Sequence, residues 1–169
     1  MRLWMLLALT IGAAGASAEA QEVRRVGPPQ SPISTSVEVP SNRRLVYVSG
    51  TVPDAVDANA PPGSIQRYGD TATQTRSVLR KIEAVLRQHD LSFRDVVMMR
   101  VFLVAPPGQS RMDFAGMMTA YREFFGTEAQ PMRPARSTMQ VAGLVDPGWL
   151  VEIEVTAAAP VVAQRGGGQ

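Results

Sequence analysis

Three charged side chains stand inside two runs that otherwise read as β-strands: Arg136 in ARSTMQVA, and Glu152 and Glu154 in WLVEIEVT. A guanidinium offers paired N–H donors in a rigid plane that matches a carboxylate, so Arg136 is a candidate anchor for an organic acid. A carboxylate in reach of a water can take its proton, which makes the glutamates candidates for hydrolytic chemistry. Successive strand side chains point to opposite sides. Arg136 therefore shares a face with Thr138, Gln140 and Ala142, the more polar face of its run, and Glu152 shares one with Leu150, Glu154 and Thr156. The Asp146-Pro147-Gly148 turn between the runs suits antiparallel neighbours, so the expectation is a hairpin with cation and carboxylates on one side.

Other chemistries are excluded by residue type. The chain has no cysteine, which rules out disulfides, thiolate nucleophiles and cysteine-ligated metals. Its single histidine, His89, stands before Asp90 at the end of a helical pattern, where the helix dipole already favours a cationic side chain. With only scattered carboxylates besides, no metal site is expected. No glycine-rich loop follows a strand in a phosphate-binding pattern, and the terminal glycines precede no helix, so no cofactor is expected either. A net charge of +2 without a basic run argues against a nucleic-acid partner.

At 169 residues and 45% hydrophobic, the chain is long enough for one domain with a proper core. Residues 1–20 have the layout of a secretory signal peptide: Arg2, an apolar run over 3–12, and small residues at Ala16 and Ala18. Cleavage after Ala18 or Ala20 fits equally, and the run is too short for a comfortable membrane span. The expected location is thus periplasmic or secreted, with no membrane attachment after cleavage. Residues 21–32, rich in proline and charge, read as a linker without regular structure; 33–159 form the domain; 160–169 are a glycine-rich disordered tail.

Within the domain, strands are expected over 34–39 and 44–49, joined as a hairpin by the 40–42 turn and followed by a long loop over 50–64. Asp70 can cap a helix whose apolar positions Val78, Leu79, Ile82, Val85 and Leu86 recur at helical spacing. VVMMRVFLV, 96–104, reads as a central strand interrupted by Arg100. A second helix over 112–125 sets Phe114, Met117, Met118, Tyr121, Phe124 and Phe125 in one stripe and stops at Gly126. The order is ββαβαββ, an α+β domain with a mixed sheet and two helices on one face. The uncovered sheet face calls for a partner subunit.

PARSTMQVAGL followed by VEIEV, together with LVYVSG at 45–50, TRSVLRKIEAVL leading into LSFRDVVMMRVFLV, and FAGMMTAYREFF at 114–125, resembles the RidA/YjgF family over nearly the whole mature chain. The resemblance implies a chorismate-mutase-like fold in a homotrimer with ligand pockets between subunits. It implies that Arg136 binds the carboxylate of a small 2-imino or enamino acid and that Glu152 positions the hydrolytic water. Ser49, Gly50 and Thr138 would line the same pocket, and Glu154 reads as a salt-bridge residue. Three positions depart from the family: Thr35 or Ser36 stands where a pocket tyrosine is usual, Met118 where the archetype has asparagine, and Thr138 where cysteine is common. The implied function is hydrolytic deamination of imines or enamines to carbonyl compounds and ammonia. A non-catalytic trimer that holds small imino or keto acids is the alternative.

Overall fold

The computed structural model describes residues 22–160. The leader expected over 1–20, and all but Pro160 of the expected tail, lie outside these residues. Along the described chain come β1 (Arg24–Val26), β2 (Ser36–Glu38), β3 (Leu45–Thr51), α1 (Ile65–Tyr68), α2 (Thr71–Arg87), β4 (Val96–Leu103), α3 (Phe114–Tyr121), β5 (Ala135–Gln140) and β6 (Val151–Ala158). The expected ββαβαββ order runs from β2 to β6, with β1 and the one-turn α1 added.

Periodicity explains the helices. In α2, Val78, Leu79, Ile82 and Leu86 are fully buried along one stripe. The Asp70 carboxylate accepts from the Thr73 N–H at 2.8 Å and so starts the helix. At the other end Asp90 takes a left-handed φ of 58°, and the Leu91 N–H closes back on Leu86 O at 3.0 Å. α2 packs on β6 and β3 and flanks α3. The core between helices and sheet joins these residues to Met99, Val101, Leu103, Val151, Ile153 and Val155.

The main sheet has the order β3-β6-β4-β5, with β6 antiparallel to β3 and β4, and β5 parallel to β4. Both expected hairpins are therefore corrected. β2 pairs with β1, Arg25 opposite Val37, and not with β3. β5 and β6 are separated by β4, because the 141–150 connection crosses over it. The nearly unbroken apolar run of β4 is buried by lying between two strands; a β5–β6 hairpin would have pushed it to an edge.

The 21–32 stretch, expected to be irregular, also carries β1. Arg25 Nη2 donates to the carbonyls of Arg94 at 2.8 Å and Val96 at 3.1 Å, and the Thr35 N–H donates to Val26 O at 2.7 Å. Composition could not show this, since the Arg94 acceptor is 69 positions away.

The turn at 146–148 serves a different purpose from the one read in it. Tyr68 OH donates to the Asp146 carboxylate at 2.7 Å, and the fully buried Gln74 donates to Gly69 O and Gly148 O, both at 2.9 Å. The Leu150 N–H donates to Gln74 Oε1 at 2.7 Å. One amide thus holds the entrance of β6 against α2. Gln74→Leu keeps the volume but leaves three buried backbone groups without partners, and it should lower stability by at least about 2 kcal/mol. Urea unfolding measures this, and a midpoint indistinguishable from wild type would show that the amide is not a structural clamp.

Candidate functional site

β4 decides where the charged residues go. Its inward side chains Met99, Val101 and Leu103 are fully buried under the helices, and they lie opposite Arg136, Thr138 and Gln140 of β5. Paired residues share a sheet face, so Arg136 and Thr138 point to the helix side. There the guanidinium carbon of Arg136 sits 4.4 Å from the ring centre of Tyr121 and 5.8 Å from that of Phe114. Tyr121 is fixed by a stacked contact with Phe125, centroids 4.8 Å apart, and by donating its hydroxyl to Pro32 O at 3.0 Å.

Two polar atoms here are buried without a hydrogen-bond partner, Arg136 Nη1 and Thr138 Oγ1. Buried polar groups are nearly always paired with protein, water or ligand, so these two atoms mark a place for a further partner. Burial lowers the Arg136 pKa from its usual value, against a smaller opposing effect from Tyr121. Burial pushes the Tyr121 pKa up to about 12, against the pull of Arg136 and Arg133, so its ring stays neutral beside the cation. The backbone adds a donor. Val141 N–H bonds inward to Leu103 O at 2.8 Å, whereas Pro134 O accepts from Ser34 N–H on the outer side at 2.9 Å. By alternation, the N–H of Thr138 faces the outer edge of β5, beyond the parallel bridge of Ser34 to Ala135 that takes up the Arg136 level.

The second group of candidates lies on the other face. Glu152 and Glu154 of β6 lie opposite Phe102 and Arg100 of β4, away from the helices. Arg100 Nη1 meets Glu154 Oε2 at 3.3 Å, so Glu154 is the salt-bridge residue and the arginine that interrupts β4 is its partner. β3 bulges at this level: between the Val48–Val155 and Thr51–Ile153 pairs, Ser49 and Gly50 stand against Glu154 alone. The bulge brings the Gly50 backbone onto Glu152, and a Cβ added at Gly50 would collide with the Glu152 carboxylate. Ser49 lines a cavity of about 190 Å³ with Tyr47, Arg100 and Glu154, on the face away from Arg136.

The structure thus brings Arg136 together with Thr138, Gly50 together with Glu152, and Ser49 together with Glu154. It does not bring the two groups together in one chain. Arg136 and Glu152 occupy opposite sheet faces and, two strands and three residue levels apart, are separated by roughly 14 Å in the plane of the sheet. The expectation that they share one side of a hairpin is corrected, because β4 intervenes and fixes opposite parity. Sequence reasoning also missed the aromatic platform. Phe114 and Tyr121 were read as core stripe, and their i, i+7 spacing was the one available sign that both could meet a side chain from the sheet.

Comparison with known proteins bears on all of these elements. The family model described as Endoribonuclease L-PSP matches residues 28–159. The 3-aminoacrylate deaminase RutC of Acinetobacter baylyi is 35% identical over 122 residues, 72% of this chain and 85% of that protein. The crystal structure of YyfB from Yersinia pestis, of the conserved Rid protein family, aligns with a TM-score of 0.60 at 26% identity, covering 82% of this chain and 100% of that one. That of E. coli TdcF with bound serine gives 0.54 at 26% identity, covering 80% and 98%. The match runs from the segment before β2 to the residue after β6, and the chain belongs to the Endoribonuclease L-PSP family, that of the RidA/YjgF proteins.

Proposed function

We propose that the protein hydrolyses small 2-imino or enamino acids to 2-oxo acids and ammonia, as a homotrimer with its pockets between subunits. The observation that carries this reading is the pair of buried, unpartnered donors on Arg136 and Thr138. They suit a substrate carboxylate, held by the planar guanidinium with the Thr138 hydroxyl beside it. That RutC is a 3-aminoacrylate deaminase and that TdcF was crystallised with serine supports a small amino-acid-like ligand in relatives.

The chemistry asks little of the protein. An enamine first tautomerises to its imine, and the protonated imine carbon is already electrophilic. Water adds to that carbon while a carboxylate takes its proton; the proton then passes to the nitrogen, the C–N bond breaks, and the carbonyl forms as ammonia leaves. Glu152 is the carboxylate assigned to this, held against Gly50 at the bulge. Because it faces away from the helices while Arg136 faces them, the two can serve one substrate only if two copies each supply one. The exposed face has surface for such an assembly: Tyr47 is 75% exposed and Leu45 40% on β3, and Met139 is exposed on the same face at the opposite edge, β5. Ribonuclease activity, which the family description carries, is not adopted, since a net charge of +2 gives weak attraction for a polyanion.

Arg136→Ala should weaken binding of an inert 2-oxo acid by about 2 to 5 kcal/mol, and Arg136→Lys should recover only part of it, because charge returns without the paired donors. Glu152→Gln should cut ammonia release from freshly generated imino acids by about 100-fold while 2-oxo acid binding falls far less. If Glu152→Gln hydrolyses normally and Arg136→Ala still abolishes binding, the protein is a carboxylate-binding trimer and the enzyme reading fails.

The mature protein should scatter light as a trimer, and a monomer stable at micromolar concentration would overturn the shared pocket. Export is part of the same proposal, on the leader layout of residues 1–20. Mass spectrometry of protein from its host should find the N-terminus near Glu19 or Gln21, whereas an intact Met1 in the cytosol would exclude it.

A further inference from the structure

We infer that the site selects organic acids with an apolar side chain, and that Phe114 and Met118 make the selection. This rests on the reading of Arg136 as the carboxylate anchor. A carboxylate on Arg136 and Thr138 lies over α3, because the guanidinium is stacked on that helix. Phe114, Met118 and Tyr121 fall at i, i+4 and i+7 of α3 and so share one stripe. Arg136 meets the rings at both ends of the stripe, and Met118 holds the position between them along the helix.

The polar groups around this stripe are engaged elsewhere. Tyr121 gives its hydroxyl to Pro32 O. Gln140, the next residue on the helix-side face of β5, accepts from the Met112 N–H at 2.8 Å and donates to Ser110 O at 3.2 Å. Asp113 caps α3 by accepting from the Gly116 N–H at 2.8 Å. Arg133, the other cation acting on Tyr121, is engaged with Pro29 O at 2.7 Å, so the surface that α3 presents to an anchored ligand is apolar. Phe114 is the accessible part, 43% exposed next to the cation, whereas Met118 is 6% exposed behind it.

An apolar substituent placed there sheds water against apolar surface, whereas a charged one loses its hydration with no group to replace it. Differences of this kind discriminate substrates by about tenfold or more.

The test uses three 2-oxo acids as inert probes on the intact mature protein, with affinities measured by calorimetry. Pyruvate has a bare methyl; 4-methyl-2-oxopentanoate carries two methyl groups where its near-isostere oxaloacetate carries two carboxylate oxygens. The expected order is 4-methyl-2-oxopentanoate tightest and oxaloacetate weakest, with at least about a tenfold ratio between them. Phe114→Ala should bring that ratio toward one, and Phe114→Leu, which restores an apolar surface, should restore most of it.

Arg136→Ala separates the two readings. If all three acids still bind Arg136→Ala at wild-type strength, the anchor reading itself fails. If binding needs Arg136 but the wild type prefers oxaloacetate or makes no distinction, the anchor stands and the selection proposed here is overturned. An unchanged ratio in Phe114→Ala overturns it as well. Phe114 is the first residue of α3 and partly exposed, so its replacement leaves the buried core intact and both variants remain informative.

Discussion

A strand side chain serves one sheet face only, and the site of this protein is governed by that constraint. Met99, Val101 and Leu103 of β4 and Val151, Ile153 and Val155 of β6 are buried together against α2 and α3. Their burial fixes the register of the whole sheet, because a slip of one residue would turn this entire set to the open face. The neighbours then have no freedom: Arg136, opposite Met99, must enter the helix side, and Glu152, opposite Phe102, must leave it. The separation of Arg136 from Glu152 is a consequence of how the core packs, and the proposed reaction accordingly needs a second copy to undo it.

Placing Arg136 on the helix side sets a second problem, since a desolvated guanidinium must recover interaction from its surroundings. No carboxylate among the described residues forms an ion pair with it; instead it lies on the faces of Tyr121 and Phe114. The arrangement depends on Tyr121 staying neutral, which its elevated pKa secures, and on the ring being held by Phe125 and Pro32. An aromatic platform stabilises the cation without neutralising it. The positive charge therefore remains available to an incoming anion, which an ion pair with a buried aspartate or glutamate would have removed.

The elements legible in the sequence were those whose signal is local and periodic: α2 with its Asp70 cap, the apolar run of β4, and the stripe of α3. Strand pairing was misread because turn chemistry is local while pairing is settled by burial elsewhere. The Asp146-Pro147-Gly148 turn looks like a hairpin turn, yet its partners are Tyr68 and Gln74. The direction of β5 was hidden for a related reason. Arg136, Thr138 and Gln140 form its polar face, and a polar face reads as the solvent side; here it is turned toward the helices. The contact of Gly50 with Glu152 is reachable only through family motifs, since nothing in LVYVSG announces the bulge that joins them.

The two glutamates of β6 illustrate how register assigns chemistry to residues of identical type. They stand two positions apart on one face of one strand, and composition cannot rank them. β4 ranks them. It sets Arg100 against Glu154, which closes that charge in a salt bridge, and sets Phe102 against Glu152, which brings no countercharge. The bulge then lays the bare backbone of Gly50 on Glu152, so the carboxylate is held in place by shape and not by a cation. A carboxylate held in this way keeps its oxygens clear of any cation, as the proposed activation of water asks of it. An arginine at the place of Phe102 would draw Glu152 into a second salt bridge without touching either glutamate.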